Sequence, residues 1–135
     1  MAEKLFLEVV TPQKLIVSEE AEIVVAPGSE GEFGVLKGHT TFLTSLKLGT
    51  LRYKDVNGKE RVLFTNCGFA EVLPDKVTIL AESAERRKDI DVERATKAKE
   101  RAEKRLAAKT ADTDLVRAEI ALKRSIQRIN IKATK

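Results

Sequence analysis

Cysteine, histidine, tryptophan and tyrosine are nearly missing from this chain: among 135 residues there is one Cys, one His, one Tyr and no Trp. A lone Cys67 excludes an intrachain disulfide, and Cys67 with His39 falls short of the four ligands of a structural zinc site. Proline occurs three times, and no apolar run approaches the roughly 20 residues that cross a bilayer. The opening Met1-Ala2-Glu3-Lys4 leads into no signal-peptide core, so neither spanning a membrane nor export by that route is expected. Catalytic constellations are missing too. Gly28, Gly31 and Gly34 lack the G-x-G-x-x-G spacing, Gly58-Lys59 lacks the upstream glycine and following hydroxyl of a P-loop, and His39 has no acid to orient it. The three glycines therefore read as a turn between strands, Cys67 as a small core residue, and the chain as a non-enzyme.

The residues that are present are divided unevenly. Hydrophobic residues make up 42% and charged residues 34%, which supplies a core and argues against disorder. Residues 1–85 hold 9 Lys and Arg against 13 Asp and Glu, net −4, whereas residues 86–135 hold 16 against 8, net +8. All seven glycines, three prolines, five phenylalanines and Tyr53 precede residue 86; Ala, Lys, Arg and Glu dominate residues 86–135. Turn-formers and rings favour sheet, alanine and long charged side chains favour helix. Two domains are expected, 1–85 and 86–135, joined by the polar connector Glu85-Arg86-Arg87-Lys88-Asp89.

In the front part, alternating Leu5, Leu7 and Val9, then Leu15–Val17, then Ile23–Val25 predict three strands before the Pro27-Gly28 break. Asn57-Gly58 supplies the positive φ of a tight turn between strands at 50–54 and 61–65. A second hairpin joins 69–73 to 77–80 through Pro74-Asp75-Lys76. Many short strands without intervening helices indicate a mainly β, antiparallel sandwich or flattened barrel.

After residue 86 the apolar period changes to 3.6. Val92, Ala95, Ala98 or Lys99, Ala102 and Leu106 predict one helix; Leu115, Ala118, Leu122, Ser125 or Ile126 and Ile129 predict a second. Asp91 caps the first, Asp112 or Thr113 the second, and Lys109–Asp112 interrupts the pattern between them. An antiparallel α-helical hairpin results, with an alanine seam too small in area to be stable without a further surface. Arg94 and Arg101 share one face of the first helix and Arg124 and Arg128 one face of the second, so four guanidinium groups collect toward the open end. Forked donors suit phosphate oxygens. The alternative is an ordinary solvated face in which Glu93, Glu100, Glu103 and Glu119 neutralise these arginines. A nucleic-acid interface is disfavoured, because residues 86–135 contain no aromatic side chain for base stacking.

Four stretches carry a family resemblance: Pro27-Gly28-Ser29-Glu30-Gly31-Glu32-Phe33-Gly34-Val35-Leu36 followed by Gly38-His39, then Gly68-Phe69-Ala70-Glu71-Val72, then Asp75–Ala81, then Ile90-Asp91-Val92-Glu93-Arg94-Ala95. The sequence resembles the epsilon subunit of bacterial F-type ATP synthases from end to end, departing at Lys37, where that family often has proline. The resemblance implies a sandwich of about ten strands plus a C-terminal helical hairpin, in a non-catalytic rotor subunit. It implies partners: the gamma subunit, the c-ring touched by the acidic turn Glu30, Gly31 and Glu32, and the beta and alpha subunits met by the hairpin as a brake on hydrolysis. It further implies ATP as a regulatory ligand of the I/L-D-x-x-R-A motif, here Ile90, Asp91, Arg94 and Ala95, with Glu85, Arg101, Arg124 and Arg128. No metal and no tightly bound cofactor are expected. The location implied is the cytoplasmic face of the bacterial membrane, through the complex. A static adaptor without nucleotide sensing is the competing reading.

Overall fold

The computed structural model describes residues 3–108 and 114–134. They fall into two compact units, Met1–Arg87 and Lys88–Lys135.

Seven strands build the first unit: β1 (Leu5–Val10), β2 (Leu15–Gly28), β3 (Gly31–Val35), β4 (Phe42–Leu46), β5 (Gly49–Asp55), β6 (Glu60–Val72) and β7 (Lys76–Arg86). Alternation sets the inner face. In β1, Leu5, Leu7 and Val9 are buried while the residues between them are only half-buried, and the same period places Leu51, Tyr53, Leu63, Val77 and Ile79 inside.

β1 pairs β2, β2 pairs β5, β5 pairs β6 and β6 pairs β7, all antiparallel. β7 returns to β1 and closes the ring. In a ring of five strands with four antiparallel pairings, the fifth must be parallel, and β1–β7 is parallel. The expectation of a wholly antiparallel sheet is corrected by this closure. β3 extends the end of β2, and β4 extends the later half of β6.

The strand count also differs from about ten, because strands that read as separate runs are continuous. Leu15–Val17 and Ile23–Val25 belong to the single strand β2. The acidic residues between them keep strand pairing with β1, and a register shift between Ala21 and Ile23 lets the strand turn to a new neighbour, β5. β6 turns in the same way at Cys67 (φ 46) and Gly68 (φ 134), pairing β5 before the bend and β4 after it. Cys67 is thus a half-buried residue at a bend, not a core hydrophobe.

Both expected hairpins form. Thr50–Lys54 pairs with Glu60–Phe64 around Gly58 (φ 77), and Phe69–Val72 pairs with Val77–Leu80. Asp55 ties the first one: its Oδ1 accepts N–H groups from Asn57 and Lys59, both at 2.9 Å, and its Oδ2 accepts Arg61 Nε at 3.0 Å. The Lys59 N–H, followed by Arg61 and Asn57, holds this carboxyl below its ordinary 3.8, with burial acting the other way. A depressed folded value stabilises above the unfolded carboxyl range, about pH 4, and the stabilisation is lost as pH falls through the folded value. Urea titrations of wild type and Asp55→Asn are therefore expected to differ at neutral pH and to converge in acid. A difference that does not change with pH would show that the charge is irrelevant.

The expected connector shortens. Glu85 and Arg86 are the last residues of β7, opposite Phe64 and Leu63, and Arg87–Asp89 forms a single 3-10 turn. Arg86 stays in the strand because its guanidinium is engaged: Nη1 donates to Tyr53 Oη at 3.2 Å and Nη2 lies 4.0 Å from Glu19 Oε1. Tyr53 in turn donates to Glu19. Burial first, then this bond, pushes the phenol up to about 12, while Arg86 pulls it down.

In the second unit, α1 spans Val92–Ala108 and α2 spans Leu115–Ala133. Asp91 Oδ1 accepts the Arg94 N–H at 3.1 Å and caps α1. Asp114, not Asp112 or Thr113, caps α2, accepting the Arg117 N–H at 3.1 Å; the expected interruption at Lys109–Asp112 lies outside the described residues. Lys132 Nζ donates to the Lys88 carbonyl at 3.1 Å, which sets the end of α2 beside the start of α1 and makes the pair antiparallel. Ala95, Ala102, Ala118, Ser125 and Ile131 are buried. Ser125, not Ile126, turns inward, because its hydroxyl donates to the Leu122 carbonyl at 2.9 Å. Among the described residues no helix is long and apolar enough to cross a membrane.

Candidate functional site

The chemistry-bearing residues concentrate on one side of the helical hairpin. With 3.6 residues per turn, Arg94, Arg101 and Arg105 fall in one sector of roughly 40°, displaced to one side of the Ala95–Ala102 seam. Arg117, Arg124 and Arg128 are displaced from the Ala118–Ser125 seam in the same sense. When two such seams face each other in antiparallel helices, both stripes lie on the same side. Arg94 then neighbours Arg128 at the open end, Arg101 neighbours Arg124, and Arg105 neighbours Arg117 at the turn.

Within the helices, Lys123 and Glu119 form an ion pair at 3.8 Å. Arg94, Arg101, Arg105, Arg117 and Arg124 have no carboxylate partner among the described residues. Arg94 and Arg101 are exposed and Arg124 and Arg128 half-buried. At the turn end a cleft of about 740 Å³ opens on α1 and α2, lined by Arg105, Asp114, Arg117, Ile120 and Arg124 with two alanines of α2. Sequence reasoning missed Arg105 and Arg117; their spacing of four and seven from Arg101 and Arg124 was the available signal.

The other expected site residues divide. Asp91 is exposed, and its side chain forms the first turn of α1, so the motif at 90–95 is also the start signal of that helix. Ile90 and Ala95 are 4% exposed, which makes their contribution packing rather than open surface. Glu85 belongs to β7 of the first unit.

The acidic turn is the tip of the β2–β3 hairpin. Gly28 pairs with Gly31, and a Cβ on Gly28 would stand 2.7 Å from the Gly31 carbonyl oxygen. No helix follows, so the glycines serve a turn, as expected, and not a phosphate loop. Ser29 N donates to Ser45 O at 3.0 Å and Lys47 N to Pro27 O at 3.0 Å, which fastens the tip to β4. Glu32 is engaged by Arg52 at 2.9 Å; Glu30 is exposed at the tip. An apolar patch lies elsewhere on the sheet: Phe69 and Leu80 are cross-strand partners, exposed by 57% and 52%, and Leu43 on the adjoining strand by 70%. No group of three or more metal-ligating side chains occurs among the described residues.

A profile of the ATP synthase delta/epsilon chain β-sandwich domain matches residues 4–87, and one of the delta/epsilon chain long α-helix domain matches residues 88–133. The sequence is 68% identical to an ATP synthase epsilon chain of Desulforapulum autotrophicum over the whole of both chains. It is 53% identical to that of Nitratidesulfovibrio vulgaris over 132 residues, 98% of each chain. A chain of the Euglena gracilis mitochondrial ATP synthase OSCP/F1/c-ring structure superposes with a TM-score of 0.75 at 28% identity, over 88% of this chain and 75% of that one. A chain of the Tetrahymena thermophila mitochondrial central stalk and c-ring, at 16% identity and a TM-score of 0.57, shares the fold.

Proposed function

Because the chain belongs to the ATP synthase delta/epsilon family, we propose that it acts as the epsilon subunit of a bacterial F-type synthase, a non-catalytic part of the central stalk. Its sandwich holds the gamma subunit and stands on the c-ring, and its hairpin regulates hydrolysis against the beta and alpha subunits. It works at the cytoplasmic face and reaches the membrane only through the complex. ATP is its regulatory ligand.

The observation that carries the regulatory part is the arginine face that begins beside the Asp91 cap and lacks carboxylate partners along most of its length. ATP neutralises that face by bridging α1 and α2, with Arg94, Arg101, Arg124 and Arg128 on the phosphates and Asp91 and Ala95 toward the base and ribose. Without nucleotide, the same charge suits acidic surfaces of the catalytic head, where opposite charge steers and holds. Calorimetry of ATP against the isolated full-length chain tests the nucleotide half. Hydrolysis by the assembled complex tests the brake, which is expected to tighten when ATP is scarce.

Two features of the sandwich support its docking role. The Leu43, Phe69 and Leu80 patch suits an apolar contact with gamma. The fastened acidic tip suits polar loops of the ring, and Glu30 has no ion pair among the described residues whereas Glu32 is held by Arg52. Glu30→Lys is therefore expected to lower ion pumping by the complex by roughly two- to fivefold, in the range of an exposed ion pair. Glu32→Gln is expected to change it less. Equal pumping by Glu30→Lys and wild type would remove Glu30 from the contact.

A further inference from the structure

We propose that Tyr53, Glu19 and Arg86 form a latch that holds the last residues of β7 to the sandwich and so sets how much free chain precedes the helical hairpin. The latch itself stands on side chains of the first unit alone. Its use in regulation rests on the reading of the hairpin as a brake on hydrolysis.

β7 is held unevenly along its length. Residues 76–80 pair with β1 on one edge and with β6 on the other. Over residues 81–86 the strand partner is β6 alone among the described residues. The core residues of that stretch are Ala81 and Ala84, and alanine removes little apolar area from water. A one-sided ladder over two buried alanines opens more readily than a strand paired on both edges.

Arg86 stands at the end of this weak stretch. Its Nη1 donates to Tyr53 Oη at 3.2 Å and its Nη2 lies 4.0 Å from Glu19 Oε1, while Tyr53 donates to the same carboxylate. Both hydrogen bonds have an ionised member, which makes them stronger than neutral ones. Glu19 belongs to β2 and Tyr53 to β5, and neither strand shares a ladder with β7. The three side chains therefore tie together, across the ring, strands that backbone pairing leaves apart. Tyr53 is 1% exposed; burial, then the Glu19 bond, pushes its phenol up to about 12, so it remains a donor at neutral pH.

With the latch closed, residues 87–91 are the chain between β7 and α1. Release of Arg86 lets residues 81–86 join that connector, which adds roughly 20 Å of extended chain at about 3.3 Å per residue. The tether more than doubles in length, and the hairpin reaches its extended form more easily.

The test is hydrogen–deuterium exchange of the full-length chain, read by peptide mass spectrometry, on wild type, Tyr53→Phe and Glu19→Ala. Tyr53→Phe keeps the buried ring and removes the hydroxyl that both partners use; Glu19→Ala removes the shared acceptor from a half-buried position. In both variants the amides of residues 81–86 are expected to exchange roughly fivefold faster or more, and those of residues 76–80 to stay within about twofold of wild type. Exchange at 81–86 within about twofold of wild type in either variant, or equal acceleration of both halves of β7, overturns the latch. In the assembled complex, Tyr53→Phe is expected to deepen inhibition of hydrolysis at low ATP by roughly twofold or more. Unchanged hydrolysis in a complex whose wild type is inhibited overturns the regulatory use of the latch. A wild type that shows no inhibition overturns the brake reading instead, and the exchange result still decides the latch.

Discussion

Gly68→Ala is expected to destabilise the sandwich by about 3–5 kcal/mol, a large share of the stability of a domain this size. Gly68 has φ 134, and a Cβ built on it stands 1.9 Å from the Leu80 carbonyl oxygen and 2.9 Å from Ala81 Cα. Both contacts are backbone of β7, which cannot retreat without breaking the β6–β7 ladder. Gly31 provides the control, because its φ is 133 but nothing lies within 4 Å of the added carbon. Gly31→Ala carries only the backbone cost, about 1–2 kcal/mol. Urea titration should move the midpoint of Gly68→Ala down by about 2 M and that of Gly31→Ala by less than half as much. Equal shifts would show that the bend in β6 tolerates a side chain and that its sharpness has another cause.

Arg94→Ala and Arg128→Ala are each expected to weaken ATP binding by roughly tenfold or more, the value of a charge-assisted hydrogen bond of about 1.5–3 kcal/mol. A ligand moves a two-state hairpin only by its preference for one state, so each substitution should also raise the population of the extended form at a given ATP concentration. In the assembled complex that appears as hydrolysis that stays inhibited at ATP levels that release the wild type. Arg94→Lys should fall between, since it keeps the charge and loses the fork. No heat of binding for the wild-type chain at millimolar ATP would end the nucleotide-sensing reading and leave the stalk role standing.

Much of this was legible in the residues. Asn57-Gly58 required a turn and produced one, and Asp91 ahead of Val92 marked a helix start that the Arg94 N–H confirms. The 3.6 period placed Ala95, Ala102, Ala118 and Ser125 inside. Less legible was anything decided by partners distant in sequence. The run Glu19-Glu20-Ala21-Glu22 looked like a break between strands, and only its pairing with β1 and β5 keeps β2 continuous. Arg86 looked like connector until Tyr53 and Glu19 engaged it.

The sequence by itself determined the division into a glycine- and aromatic-bearing β part and an alanine- and arginine-bearing helical part, because propensity and period are local properties of the chain. It also determined the charge of the hairpin, which is a sum over side chains. Tertiary structure alone decided that the first and last strands run parallel, since ring closure depends on every other pairing. Only the antiparallel packing of α1 on α2 put Arg105 and Arg117 with Arg124 around one cleft: charges separated along the chain become a site once two seams meet.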